Sequence, residues 1–354
     1  MSKTYSGFLQ LNWAVLDDVE IAGGARYTRQ DQSASFGVTQ ANPLFAPRLT
    51  PVGKILQGAA TENNLSPEAT VSWHIKPHTM VYGAYKTGWL AGGYSEPSIL
   101  TANFTSGNSL LYGAEKVKGG EIGVKAQLLD NTLRLTGDIY RYDYNNLQLN
   151  NFIAATISNQ ILNAGSSYTQ GVELQGIWRA TPELTLHGGL SFSQGRYSSF
   201  PNIACYSGQT AALGCSPVTG FQDLSGKPLA RAPDWTGAFG VSYERPAFDN
   251  WFIGLTADVR FSSGYFTQVS DSIYAYQDTY YILNTSARLF TEDKRWELAL
   301  IAKDLNDKQY ATESFDVPSS APGTIAAQIS RPRQIIIQAT YHFGESTNNR
   351  PSYR

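Results

Sequence analysis

Apolar and polar residues alternate with a period of two over much of the chain. That is the mark of β-strands whose two faces meet different surroundings. Within 5–15, Tyr5, Gly7, Leu9, Leu11, Trp13 and Val15 share one side, while Ser6, Gln10 and Asn12 share the other. Within 65–75, Leu65, Pro67, Ala69, Val71, Trp73 and Ile75 alternate with Ser66, Glu68, Thr70, Ser72 and His74. The same rhythm runs through 122–128, 172–178, 184–192, 235–243, 251–261, 281–289, 296–302 and 335–343, and less regularly through 19–28, 79–89 and 133–144. The pattern predicts an all-β chain of about 13 antiparallel strands.

Connections alternate as well. Short turns near 16–18, 76–78, 129–132, 180–183, 246–250 and 291–294 are separated by long stretches near 37–64, 91–114, 145–162, 200–230, 264–278 and 306–330. Short turns on one rim and long loops on the other predict a transmembrane β-barrel. Tryptophan sharpens the prediction. Trp13, Trp73, Trp178, Trp251 and Trp296 lie beside short turns on the apolar side of their strands, and Trp89 and Trp235 lie beside long loops. Indole prefers the membrane–water boundary, so these residues read as one aromatic girdle per rim. The opposite side carries Glu68, Glu121, Lys125, Asp138, Glu173, His187, Asp258, Arg260, Arg288, Glu297 and Lys303, which are expected to line a wet lumen or touch a plug. A soluble all-β fold gives no reason for such regular loop lengths.

Composition agrees with this reading. Charged residues make up 16%, aromatics 12%, and the net charge is −2, with 21 Tyr and 32 Gly in 354 residues. No basic surplus exists to neutralise phosphates, so no nucleic-acid partner is expected. No apolar run exceeds five residues (Leu298 to Ala302), far short of the about 20 that a membrane helix needs. The start of the sequence lacks the apolar core of a signal peptide and is read as the start of a fragment.

Cys205 and Cys215 fall in a loop placed outside the cell, where a disulfide is favoured over two free thiols. Aromatic residues concentrate in the long loops and supply the candidate ligand surface: Tyr94, Phe104 and Tyr112 in one, Tyr206 and Phe221 in another, Tyr265, Tyr274 and Tyr276 in a third. Rings of this kind hold a large amphipathic ligand by stacking, or else sit at the lipopolysaccharide boundary. No P-loop, dinucleotide fingerprint, His-Glu-x-x-His or Cys-x-x-Cys motif occurs, so neither an enzyme, a cofactor nor a metal site is expected.

Four segments resemble the barrels of TonB-dependent receptors. They are Glu115-Lys116-Val117-Lys118-Gly119-Gly120-Glu121-Ile122-Gly123-Val124-Lys125, Asn163-Ala164-Gly165 leading to Gly171-Val172-Glu173-Leu174, Ala302-Lys303-Asp304-Leu305-Asn306-Asp307-Lys308-Gln309-Tyr310, and Arg331-Pro332-Arg333 leading to Tyr341-His342-Phe343. The resemblance covers nearly the whole chain. Position 304 is Asp where Asn is commoner, and a polar tail, 344–354, follows the barrel segment 1–343. The family's barrel has about 22 strands around a plug. The resemblance therefore implies a partial barrel, its C-terminal part, with the plug domain and energy-coupling box absent.

The resemblance further implies a receptor-transporter in the Gram-negative outer membrane. It would take up a scarce nutrient, such as a ferric siderophore or similar metal chelate, with energy from the inner-membrane TonB complex acting through the plug. Phe343 would be the signal read by the barrel-assembly machinery, and outer-membrane lipids and lipopolysaccharide would surround the wall. A passive porin-type channel is the alternative.

Overall fold

The computed structural model describes residues 1–39, 51–96, 104, 106–153, 158–163, 165–317 and 320–343; the tail 344–354 lies outside them. One antiparallel sheet of 13 strands runs in chain order. Its members are β1 (Ser2–Leu16), β2 (Val19–Gly37), β3 (Ile55–Lys76), β4 (Thr79–Leu90), β5 (Glu115–Leu128), β6 (Leu133–Asn145) and β7 (Ser166–Arg179). They are followed by β8 (Leu184–Ser199), β9 (Trp235–Phe248), β10 (Trp251–Ser262), β11 (Tyr280–Thr291), β12 (Trp296–Lys303) and β13 (Gln334–Tyr341). β1 and β13 are the two edges, each paired on one side only among the described residues.

Register shifts occur only near strand ends, at Ala14–Leu16, His74–Lys76, Ser166–Ser167 and Pro246–Phe248 among the described pairs of this sheet, and between them the register carries each sequence face across the sheet. On one side, Ile122 pairs with Ile139, Ile139 with Val172 and Val172 with Phe192. On the other, Glu173 pairs with Asp138 and with Ser191. A one-residue shift would exchange the faces along a whole strand, so the two-sided pattern fixes the register. The apolar side has no protein covering: Leu11, Leu65, Ile139, Leu174 and Ile337 are all more than half exposed. A soluble sheet would bury this side in a core. Here it forms a continuous outer band, as hydrocarbon contact requires.

Trp73 shows how the band ends at the short-turn rim. It is half exposed, and its indole N–H donates to Asp18 in the β1–β2 turn at 3.0 Å. An apolar ring with a satisfied polar tip is suited to the interface. The tight β5–β6 turn places Leu129, Asp130 and Asn131 in succession at positive φ (51°, 53° and 66°). Asp and Asn adopt this region more readily than other residues that carry a Cβ.

The structure corrects one boundary. Sequence analysis assigns 37–64 to a connection, yet β3 begins at Ile55 and pairs with β2 as far as Gly37. The added stretch, Ile55 to Asn64, holds Gln57, Gly58, Thr61 and Glu62 and lacks an apolar side. A membrane strand needs only about 9–11 residues. The extra pairs stand above the hydrocarbon, where neither face selects for apolar residues, so the periodic signal disappears. Among the described residues five other long connections hold an antiparallel pair of their own, the longest being Gln148–Ile153 with Ser158–Asn163 and Ala311–Asp316 with Ile325–Ile329.

Leu174 and Gln175 are adjacent in β7 and face opposite ways. Leu174→Arg should cost about 2–4 kcal/mol at mid-band and sharply reduce the heat-shiftable folded form in outer-membrane fractions. Gln175→Arg should leave that form close to wild type.

Candidate functional site

Three long connections, 200–234, 263–279 and 304–333, join over one stretch of the inner wall. Tyr197 of β8, Phe200, Ile203 and Leu224 of the first connection and Val269 of the second form a buried apolar cluster. Cys205 and Cys215 are joined by a disulfide, with Cα atoms 5.8 Å apart. Bonds between the loops bind them into one cap. The Ser207 N–H donates to Asp316 at 2.9 Å and Gln222 to the Ser270 carbonyl at 3.0 Å. Tyr265 donates to the Ala311 carbonyl at 3.1 Å, and Arg231 pairs with Glu313 at 3.0 Å.

Between this cap and the wall lies a recess of about 720 Å³. Glu173, Gln175, Ser191, Thr236, Arg260, Ser262 and Tyr280 line it from the sheet, and Arg231, Tyr265, Tyr310 and Thr312 line it from the loops. Tyr280 and Tyr310 stack with ring centroids 4.1 Å apart and planes 13° from parallel. Arg260 stands on the same inward row of β10 as Asp258 and forms no ion pair among the described residues. Stacked phenols beside a free guanidinium suit a planar, electron-rich or anionic ligand group.

Elsewhere on the inner wall some charges are paired, while Lys125, Asp138, Glu173 and Lys303 form no ion pair among the described residues. Glu121 accepts from Lys86 and from Tyr142, each at 2.8 Å. His187 meets Asp258 at 3.1 Å, and Arg288 joins Glu244 to Glu297 at 2.5 and 3.5 Å. Among the described residues no group of three or more His, Cys, Asp or Glu is placed to hold a metal.

The sequence-predicted loop aromatics divide between roles. Tyr265 lines the recess. Tyr206 is buried, with its ring edge-on to Tyr274 at 6.2 Å. Phe221, Tyr274 and Tyr276 are exposed, and Tyr276 meets Phe266 at 5.1 Å. Tyr94 and Phe104 pack on a second apolar cluster of Val38, Leu56 and Leu110, and Tyr112 pairs with Gly93 in a small hairpin. Phe343 follows β13, its ring edge-on to Tyr341 at 4.7 Å.

Tyr280 and Tyr310 are missing from the sequence-derived set because that set was confined to loop interiors. The strand rhythm held the signal for Tyr280, since it precedes Tyr281 on β11 and so shares the polar side with Arg288. Tyr310 closes the segment that begins at Ala302, but only the fold brings it onto Tyr280.

A family model described as TonB dependent receptor-like, β-barrel, matches residues 2–305. The chain belongs to the TonB-dependent receptor β-barrel family. Comparison with solved structures gives the same architecture. The ferric yersiniabactin uptake receptor FyuA from Yersinia pestis superposes with a TM-score of 0.74 at 16% identity, over 97% of this chain and 46% of that one. The siderophore receptor PiuA from Acinetobacter baumannii gives 0.69 at 18% identity, over 96% and 43%. The copper transporter OprC gives 0.64 at 14% identity, over 97% and 48%. This TonB-dependent receptor barrel chain thus spans a little under half the length of the structures it resembles. A search of curated proteins finds no sequence match.

One buried acid sits inside the receptor's loop cap. Asp271 is 8% exposed, and neither carboxylate oxygen has a hydrogen-bond partner among the described residues. Burial pushes its carboxyl up from 3.8 to about 7, against the pull of Lys227 and of Arg196. Arg196 is itself held by Asp234 through two bonds of 2.9 Å. Between these two pH values the packed cap holds a proton that an opened cap releases. The packed state is therefore favoured as pH falls toward 4 and loses that advantage as pH rises through about 7. Proteolysis of the cap should accordingly be slower at acid than at alkaline pH. Asp271→Asn should abolish the difference and give the slow, acid-like rate throughout; an unchanged pH profile would rule out this acid as its source.

Proposed function

We propose that this chain is the ligand-selecting part of an outer-membrane receptor for active uptake of a metal chelate, most simply a ferric siderophore. One observation carries the reading: the cross-linked cap holds Tyr265 and Tyr310 over the wall residues Tyr280 and Arg260, in a recess facing the lumen. A large chelate with aromatic or anionic donor groups can stack on the phenols and place its charge at the guanidinium. The ferric yersiniabactin uptake receptor FyuA, the siderophore receptor PiuA and the pyoverdine outer membrane receptor FpvA from Pseudomonas aeruginosa PAO1 share the fold.

In this reading the intact receptor sits in the Gram-negative outer membrane and carries a plug on which the TonB complex acts. The wall supplies rigidity and the mouth supplies selection. The unpaired edges of β1 and β13 support a larger closed barrel, because unpaired backbone groups are not tolerated in hydrocarbon. Phe343 is the proposed signal for the barrel-assembly machinery. A passive channel would conduct small solutes without TonB and would not depend on the recess.

Uptake of radioiron-loaded chelates by iron-starved cells tests the proposal, with catecholate, hydroxamate and phenolate forms supplied separately. Arg260→Ala and Tyr280→Ala in the intact receptor should each weaken uptake of the cognate chelate about 5- to 30-fold, the loss of a contact worth about 1–2 kcal/mol. Uptake that persists without TonB, or is unmoved by both substitutions, would overturn the reading.

A further inference from the structure

The outer face of β5, β6 and β7 changes character abruptly toward the long-loop rim. From the short-turn side of β7 it presents Trp178, Gly176, Leu174 and Val172, and then Gln170 and Tyr168. Beside Gln170 stands Arg141, and opposite Asp143 stands Lys118. Lys116 follows on the same face, opposite Trp89 of the long-loop girdle. Strand rise and tilt put Gln170 about 21 Å above Trp178 along the membrane normal, close to the top of an apolar band about 25 Å tall. Lys118 and Lys116 stand successively higher.

Lys116, Lys118 and Arg141 are exposed, and Asp143 is the one carboxylate of these strands on that part of the face. Neither lysine forms an ion pair among the described residues. Arg141 is held in place: it donates to Gln170 at 2.6 Å and to Asp143 at 3.0 Å, and its guanidinium lies 4.5 Å from the centre of the Tyr168 ring. Its side chain still keeps 53% of its surface open. The neighbouring Arg196 does not add to the patch, because Asp234 holds it by two bonds and its side chain is largely covered, whereas that of Arg141 is open. A chain of net charge −2 thus sets three cations against one carboxylate on the outside of its wall, rising in steps from the top of the apolar band.

Charge on an outer face is unfavourable in hydrocarbon and becomes tolerable only near the interface, where fixed anions make it favourable. We infer that Lys116, Lys118 and Arg141 form a binding site for the phosphates of an outer-leaflet phosphorylated glycolipid, whose acyl chains lie on Ile122, Ile139 and Val172. The lipid has the two halves this face presents in order, anionic above and apolar below. The Lys116–Trp89 pairing sets the site at the boundary. The inference rests on the outer-membrane placement proposed above.

The test extracts the intact receptor from outer membranes in mild detergent and counts lipopolysaccharide retained per protein by native mass spectrometry. The expected result is at least a threefold loss in the combined Lys116→Gln, Lys118→Gln and Arg141→Gln variant. Lys303→Gln, on the lumen side, should show no loss. Lys118→Gln alone, a milder change, should lose an intermediate amount if the combined variant folds poorly. Added back to delipidated wild type, dephosphorylated glycolipid should be retained no better than intact glycolipid is by the combined variant. Equal retention by wild type and variants, or equal retention of the dephosphorylated form, would overturn the site. Equal competition by phosphatidylglycerol would overturn the glycolipid as its occupant. Absence of the wild-type protein from the outer-membrane fraction would instead strike at the placement on which the inference rests.

Discussion

A single sheet lies between two unlike surroundings, and every strand has to serve both. Among the described residues no second layer covers the apolar side, which is the arrangement that lipid contact requires. The same strands must turn polar side chains to the interior, and a period of two is the only rhythm that does both. Register, girdles and the placement of charge all follow from that division. Pairing is long and antiparallel because the backbone has no water to turn to at mid-depth.

For the same reason much of the fold was legible in the sequence. Leu9, Leu11 and Trp13 on β1, or Val172, Leu174 and Trp178 on β7, declare their face without reference to any neighbour. Legibility fails where the membrane stops. The stretch from Ile55 to Asn64 is strand, yet it shows no apolar side, because lipid no longer selects its outward face and the loop around Leu110 covers its other face at Leu56 and Gly58. The hairpins inside the long loops escaped notice for the same reason. Above the bilayer, strand pairing is settled by contacts between segments distant in the chain, and those leave no periodic trace.

The candidate site lies on this boundary between the legible and the illegible. Arg260 and Tyr280 belong to the wall, and their inward direction follows from parity. Tyr265 and Tyr310 belong to loops, and only tertiary packing sets one beside the wall and the other flat on Tyr280. A set built from loop aromatics alone mixes a recess-lining ring, Tyr265, with rings such as Tyr206 and Tyr94, which hold the loops themselves together. Sequence does not separate the two roles, because a phenol that supports a cap and a phenol that meets a ligand are the same residue type in the same kind of segment.

Two of the cap's loops share an apolar centre, the third is joined to them by hydrogen bonds and an ion pair, and a covalent tie closes part of the largest. They are not independent tethers. The mouth is therefore braced as a unit, and a substitution in one loop reaches the next through bonds such as that from Ser207 to Asp316.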